Sequence, residues 1–196
     1  ESTRNLRRFL WLPSLFCRGF FSLRLFRHML VLHGNAVGGG SVVYANTLLV
    51  PPEKVWRSGT WALLRDWAAE MPGHYRTAEK MLGVTTNPLL ADADHMLKKL
   101  ADEAGVGGSF YRTRVAVYFG ADDEHAQPQQ QGDPYFAGKG PARAPCIGCG
   151  GCMVGCRHRA KNSLDYNYLY LAEKLGVKVL AESRVSRIEP LGEDKG

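Results

Sequence analysis

Apolar and polar positions along this 196-residue chain fall into a series of short patterns. Phe9 to Cys17 is strongly apolar and interrupted by Pro13, as expected of a segment made for burial. Met29 to Leu32 is a brief apolar run followed by His33 and Gly34, which predicts a strand entering a turn. Gly34 to Ser41 is rich in glycine. Ser41 is a natural N-cap, and VVYANTLLV behind it predicts a buried helix or an extended segment that Pro51 and Pro52 stop. Trp61 to Leu82 predicts two helices, with Pro72 in the first turn of the second. Asp92 to Ala104 has an amphipathic helical period, and Gly105 closes it. RTRVAVYF alternates and is rich in β-branched and aromatic residues, so Phe110 to Phe119 predicts a strand.

Gly120 to Pro145 is long, irregular and rich in Gln, Gly and Pro, the kind of stretch that is functional or crosses between domains. Further on, Ser163 is placed to cap a helix whose Leu164, Tyr168, Leu171 and Leu175 share one face, and Gly176 ends it. Val177 to Ala181 and Val185 to Ile188 predict consecutive strands. These elements describe an α/β (α+β) protein without internal repeats.

Composition adds little: 45% apolar and 22% charged residues are ordinary for a folded protein. This length suffices for one good core or for parts of two domains. No apolar run reaches the length of a bilayer span. Clustered cysteines without a secretory leader indicate metal binding or reduced thiols and a cytoplasmic protein. Charge changes the picture more. Of the net +6, the first thirty residues hold +5, from Arg4, Arg7, Arg8, Arg18, Arg24 and Arg27 against Glu1. Such a start suits a transit peptide or a nucleic-acid arm. The apolar Phe9–Cys17 run argues instead for an internal segment whose arginines cover a surface, so no nucleic-acid partner is expected. The chain starts at Glu1 and not Met, so this end need not be a biological terminus.

Two features carry chemistry. Cys146, Cys149, Cys152 and Cys156, four of the five cysteines, are spaced C-x2-C-x2-C-x3-C, the ligand run of a bacterial-type iron–sulfur cluster. Zinc sites usually separate two cysteine pairs by a longer stretch. Arg157 stands where ferredoxins have Pro, and no second run exists, so a fourth ligand would be Cys156 in altered geometry, remote Cys17 or a non-cysteine group. The alternatives are a zinc brace, or four reduced thiols around a glycine-rich turn. The second feature is Gly38, Gly39 and Gly40 before Ser41. Three residues without Cβ let an anionic or planar ligand approach the backbone closely. No G-x-G-x-x-G and no phosphate loop occurs in the chain.

The block GNAVGGGSVVYANTLLVPP resembles the signature of the glucose–methanol–choline flavoprotein oxidoreductases, most of all their cholesterol-oxidase-like branch. LRRFLWLPSLFCRG, HYRTAEKMLGV, DPYFAGKGPAR and CGGCMVGCRHRAKNSLDYNYLYLAEKLGVKV follow that branch's order, so the resemblance covers nearly the whole chain. It implies FAD as cofactor and oxidation of a small-molecule alcohol, a sterol-like one included, by hydride transfer to flavin. It leaves the electron acceptor open. It further implies that Gly38, Gly39, Gly40 and Ser41 lie against the flavin and its pyrophosphate. Tyr44 stands near the place where sterol oxidases carry a cofactor-contacting Asn, and Asn46 is the nearest asparagine, so the resemblance implies Asn46 as a cofactor-binding residue. The family's dinucleotide turn would precede Glu1 and its catalytic His would follow Gly196, which makes this an internal fragment. None of His28, His33, His74, His95, His125 and His158 matches the catalytic motif. By the same resemblance, residues 1–50 belong to a partial FAD-binding, Rossmann-like domain. Residues 51–145 form part of a substrate or cap region with a crossing loop, and residues 146–196 return to the FAD domain. Trp56, Trp61, Trp67, Tyr75 and Tyr111 are candidates to line an apolar substrate pocket. An iron–sulfur cluster beside the flavin would carry electrons onward; standing alone, the cysteine run would be an electron-transfer or metal-binding module.

Overall fold

The computed structural model describes residues 6–127 and 132–189. A helical turn, α1 (Leu6–Phe9), leads into β1 (Trp11–Leu12), which pairs antiparallel with β2 (Cys17–Arg18) around a 3-10 turn at Pro13–Leu15. Then β3 (Phe21–Leu25) and β4 (Leu30–Gly34) form an antiparallel hairpin in register from Phe21 opposite Gly34 to Leu25 opposite Leu30. The apolar run at Met29–Leu32 is therefore a strand, but it continues through His33 and Gly34 where a turn was expected. Arg7, Arg8, Arg18, Arg24 and Arg27 are exposed, in keeping with arginines that cover a surface. The expectation that Phe9–Cys17 is buried is corrected: Cys17 is buried, while Trp11, Leu12, Leu15 and Phe16 are exposed. With only two residues in each of β1 and β2, this ribbon has too little backbone to shield both of its faces.

The glycine-rich stretch ends in α2 (Gly40–Val43), a single turn that gives way to extended backbone at Tyr44. After α3 (Glu53–Trp56) and a 3-10 turn at Thr60–Leu63 comes α4 (Trp67–Met81). The second of the two expected helices starts earlier than Pro72 predicted, because the Asp66 carboxylate accepts from Ala69 N and caps the helix there. Pro72 consequently lies inside α4, one turn beyond the position where its missing N–H would cost nothing. The helix at α5 (Asp92–Glu103) agrees with its sequence period, and Gly105, at φ +72°, donates its N–H to Asp102 O at 3.1 Å.

Of the strand expected over Phe110–Phe119, only β6 (Arg114–Val115) is regular; it pairs antiparallel with β5 (Thr85–Thr86). Its extension through Tyr118 nevertheless organises the chain. Leu48 N donates to Arg114 O and Ala116 N to Asn46 O. On the other edge Asn162 N donates to Ala116 O, Tyr118 N to Ala160 O, and Cys146 N to Tyr118 O. Val115, Ala116, Val117, Tyr118 and Ala160 are buried along this ladder. It joins three distant parts of the sequence: the tail of the glycine block, the start of the cysteine segment and the Ala160–Asn162 stretch after it.

The last helix, α6 (Tyr168–Lys174), follows a 3-10 turn at Leu164–Tyr166 and is capped by the Asn167 side chain, not by Ser163 as anticipated. Gly176, at φ +96°, ends it as expected. The strands expected at Val177–Ala181 and Val185–Ile188 are not formed. A strand needs a neighbour for its N–H and C=O groups, and among the described residues no element pairs with 177–189, where Leu180 and Ile188 are exposed. Among the described residues the result is an α+β arrangement of short helices and three two-stranded antiparallel sheets.

Beside β6, Glu124 accepts from Thr86 N at 2.8 Å and pairs with Arg114. Hydrogen bonds from Thr86 and then Arg114 pull its carboxyl from 4.5 to about 2. Because the folded value is the lower one, this contribution is present above about pH 4.5 and disappears as pH falls through 2. Glu124 is 41% exposed, so solvent screening keeps it small. Glu124→Gln is expected to flatten the acid limb of stability; urea midpoints at pH 3 and pH 6 should differ less in the variant than in the parent. An equal difference in both would disprove the assignment.

Candidate functional site

The glycine block and the cysteine segment, more than a hundred residues apart in sequence, meet at one place. Gly39 takes φ +55° and ψ −133° just before α2, a backbone region open only to glycine. At Gly38 (φ +99°) an added Cβ would stand 2.9 Å from Val42 Cγ2 and 3.3 Å from Asp165 Oδ1; at Gly39 and Gly40 it would meet nothing within 4 Å. One side of the turn is thus packed and the other presents bare backbone.

Ser41 does not act as the N-cap, since α2 starts at Gly40. Its hydroxyl donates to Gly38 O at 2.6 Å and accepts from Leu164 N at 2.9 Å, tying the turn to the segment ahead of α6. Asn46 is buried at φ +59°, and its side chain turns to the Cys152 thiol. Burial raises the pKa of that thiol, and the Asn46 hydrogen bond acts in the opposite sense.

Lys161 escaped the sequence reading. Its side chain is only 2% exposed, and Nζ donates to Val42 O, Tyr44 O and Cys152 O, each at 2.8 Å. The same ammonium lies 4.5 Å from the centroid of the Tyr44 ring, a cation–π contact. Burial lowers its pKa to about 8. Tyr44, its phenol raised well above the ordinary value chiefly by burial, donates to Asn162 O at 3.4 Å. A single lysine with no partner motif leaves no trace in sequence spacing; only the meeting of the three carbonyls reveals it.

Arg143 plays a parallel part. Its guanidinium donates to Arg159 O, Lys161 O and Tyr166 O at 3.2, 3.1 and 2.9 Å, and lies 5.0 Å from the Tyr166 ring centroid. The irregular 120–145 stretch, of which residues 128–131 lie outside the described residues, is ordered around Asp133, whose carboxylate is 1% exposed. Arg143 N donates to Gly132 O at 2.9 Å and so joins that stretch to the site.

Cys146, Cys149, Cys152 and Cys156 line one cavity of about 20 Å³ with Lys161 and His158, and all four are free thiols. Sequence therefore placed them together correctly. They do not converge as ligands. Cys149 is exposed, Cys146 and Cys156 pack on Val115, Val117 and Ala160, and Cys152 faces Asn46. Among the described residues no group of three or more His, Cys, Asp or Glu side chains is placed to hold a metal ion. Cys17, the remote candidate ligand, is buried in β2 with its thiol toward Leu15 O. The iron–sulfur and zinc alternatives thus gain no support from the geometry, because the loop spends its cysteines on packing and on solvent.

The aromatic candidates divide. Trp56 is buried and contacts Trp61 and Tyr75, each at 5.7 Å between centroids, and Trp61 contacts Trp67 at 6.5 Å. Trp56 and Tyr75 line a cleft of about 310 Å³ with Pro51, Pro72 and Arg76. Tyr111 lines a different cleft of about 300 Å³, beside Leu89, Leu97 and Phe110. The five do not share one pocket.

Over 187 residues the chain is 54% identical to a protein of Acinetobacter baumannii named cholesterol oxidase, in an alignment that takes 95% of this chain and 34% of that protein. A Mycobacterium tuberculosis protein of the same name is 46% identical over 189 residues, 96% of this chain and 33% of its own length. This chain is similar to cholesterol oxidases. It spans about a third of the length of the curated relatives it matches. No family model matches it. No helix among the described residues is long and apolar enough to cross a membrane.

Proposed function

We propose that this chain supplies the flavin-facing glycine turn and part of the substrate region of an FAD-dependent oxidoreductase of the glucose–methanol–choline family that oxidises a sterol alcohol. The observation that carries this reading is the similarity to cholesterol oxidases, at 54% identity through 95% of the chain. The residues present fit the cofactor: Gly39 and Gly40 have nothing within 4 Å of a hypothetical Cβ, so a planar or anionic group can lie directly on the backbone there. When bound, FAD supplies the hydride acceptor. The chain's own share is placement. Gly38, Gly39 and Gly40 present the open face, while Ser41 and Lys161 hold it against residues 152–164. Asn46 engages the Cys152 thiol and so links the end of this block to the cysteine segment. Residues 1–50 and 146–196 then belong to the Rossmann-like cofactor domain and residues 51–145 to the substrate region, where the Trp56–Tyr75 cleft offers apolar walls. The cysteine segment serves as a brace for the turn.

The test uses the protein at its full natural length. It is expected to purify with stoichiometric flavin and to oxidise a sterol alcohol. Gly39→Val puts a β-branched residue at φ +55°, a strain of about 1–3 kcal/mol, and is expected to lose at least about tenfold in flavin affinity while its far-ultraviolet circular dichroism stays unchanged. A parent protein that takes up no FAD on reconstitution would refute the reading.

A further inference from the structure

We propose that Cys149 and Cys152 form a reversible, peroxide-sensitive dithiol, with Cys149 as the attacking thiol and Cys152 as the resolving one. Both line the same small cavity, and both are free. They differ in what holds them. Of the four clustered cysteines, Cys149 alone is exposed. It sits between Gly148 at φ +68° and Gly150 at φ +69°, and an added Cβ at Gly150 would meet nothing within 4 Å. Two glycines in this conformation make Cys149 a hinge-borne side chain that can swing without disturbing its neighbours. Cys152 is the fixed partner. It opens the 3-10 turn Cys152–Val154, and its carbonyl accepts from Lys161 Nζ at 2.8 Å. The spacing is C-x2-C, which brings two thiols within closing distance across a tight turn, and an accessible cysteine beside a resolving one is the arrangement of redox-sensing sites. Burial raises the pKa of Cys152, and the Lys161 ammonium, within electrostatic reach, partly offsets that rise.

The chemistry balances with hydrogen peroxide as oxidant. The Cys149 thiolate attacks one peroxide oxygen, the O–O bond breaks, and the first water departs after protonation, leaving a sulfenic acid. The Cys152 thiolate then attacks that sulfur, the S–O bond breaks, and a second water leaves. The two sulfurs give up two electrons and the peroxide takes them. Closure takes up the Cys152 thiol that the Asn46 side chain contacts, so the oxidation state of this loop bears on that contact.

The test is peroxide treatment of the protein at full natural length, followed by alkylation and peptide mapping. At a peroxide dose that oxidises free glutathione, the expected product is a Cys149–Cys152 disulfide that dithiothreitol reverses, with Cys17, Cys146 and Cys156 still alkylated. Cys152→Ser should leave Cys149 as a sulfenic acid captured by dimedone. Cys149→Ser should give no disulfide. Cys149 is exposed, so that variant decides the matter even where Cys152→Ser fails to fold, as circular dichroism would reveal. Unmodified thiols at that dose, a disulfide through another pair, or iron or zinc bound stoichiometrically to this segment would each overturn the proposal.

Discussion

Lys161→Met is expected to lower folding stability by about 2–4 kcal/mol and to loosen the glycine turn. The substitution keeps the length and apolar character of the side chain but removes the donors that reach Val42 O, Tyr44 O and Cys152 O. Each buried acceptor left without a partner costs about 1–3 kcal/mol. Against this stands the cost of burying the ammonium itself. Its pKa is lowered from 10.5 to about 8, which corresponds to about 3 kcal/mol that the methionine no longer carries. The three orphaned carbonyls outweigh that return. The pH dependence distinguishes this account from simple loss of packing. The folded lysine sheds its proton before the unfolded one, so its term favours folding progressively as pH rises from about 8 to 10.5. The stability gap between parent and variant should widen over that window. Urea unfolding at pH 7 and pH 9.5 measures both effects; a loss under about 0.5 kcal/mol would show that the carbonyls find other partners.

Asp133→Asn is expected to have a comparable effect on the region that was least legible. Asp133 Oδ1 accepts from Tyr135 N at 3.0 Å, and Oδ2 accepts from Phe136, Gly138 and Gly140 N at 3.1, 3.1 and 2.8 Å. The asparagine is the same size, but one oxygen becomes an NH2 group that faces donors. Hydrogen bonds to a charged acceptor contribute about 1.5–3 kcal/mol each, so losing those on one oxygen should cost about 2–4 kcal/mol. The consequence extends past the loop. Tyr135 donates from its hydroxyl to Asp123 Oδ2 at 2.6 Å and lies 5.9 Å beneath the Arg143 guanidinium. Freeing residues 133–140 therefore releases a wall of the Arg143 site. Amide exchange at residues 135–140 should accelerate along with the fall in melting temperature. Unchanged protection there would rule out the role given to the Asp133 carboxylate.

Part of this arrangement is legible in the residues alone. The apolar run at Leu30–Leu32, the α5 period and its Gly105 stop, and the clustering of four thiols are all local signals. They survive because neighbouring residues decide them: side-chain period, a left-handed glycine, short loop spacing. The misjudged elements share another cause. Pro72 marked a helix start, but the Asp66 cap six residues earlier took precedence. Ser41 has the chemistry of a cap, yet Leu164 N, 123 residues away, claims its hydroxyl. The 177–189 pattern has the alternation of strands and no neighbour among the described residues to complete them.

The site divides in the same way. By itself the sequence determined that residues 38–40 offer backbone without side chains and that four thiols sit in one loop, because both follow from residue identity and spacing. Only the tertiary structure decided that the two belong to one site. It did so through the ladder along residues 114–118 and through Lys161, whose three carbonyl partners come from segments that no local pattern connects. It also decided that the four thiols, although they line one cavity, form no metal-ligand set among the described residues. Backbone identity is a local property, whereas convergence depends on where distant segments direct their side chains.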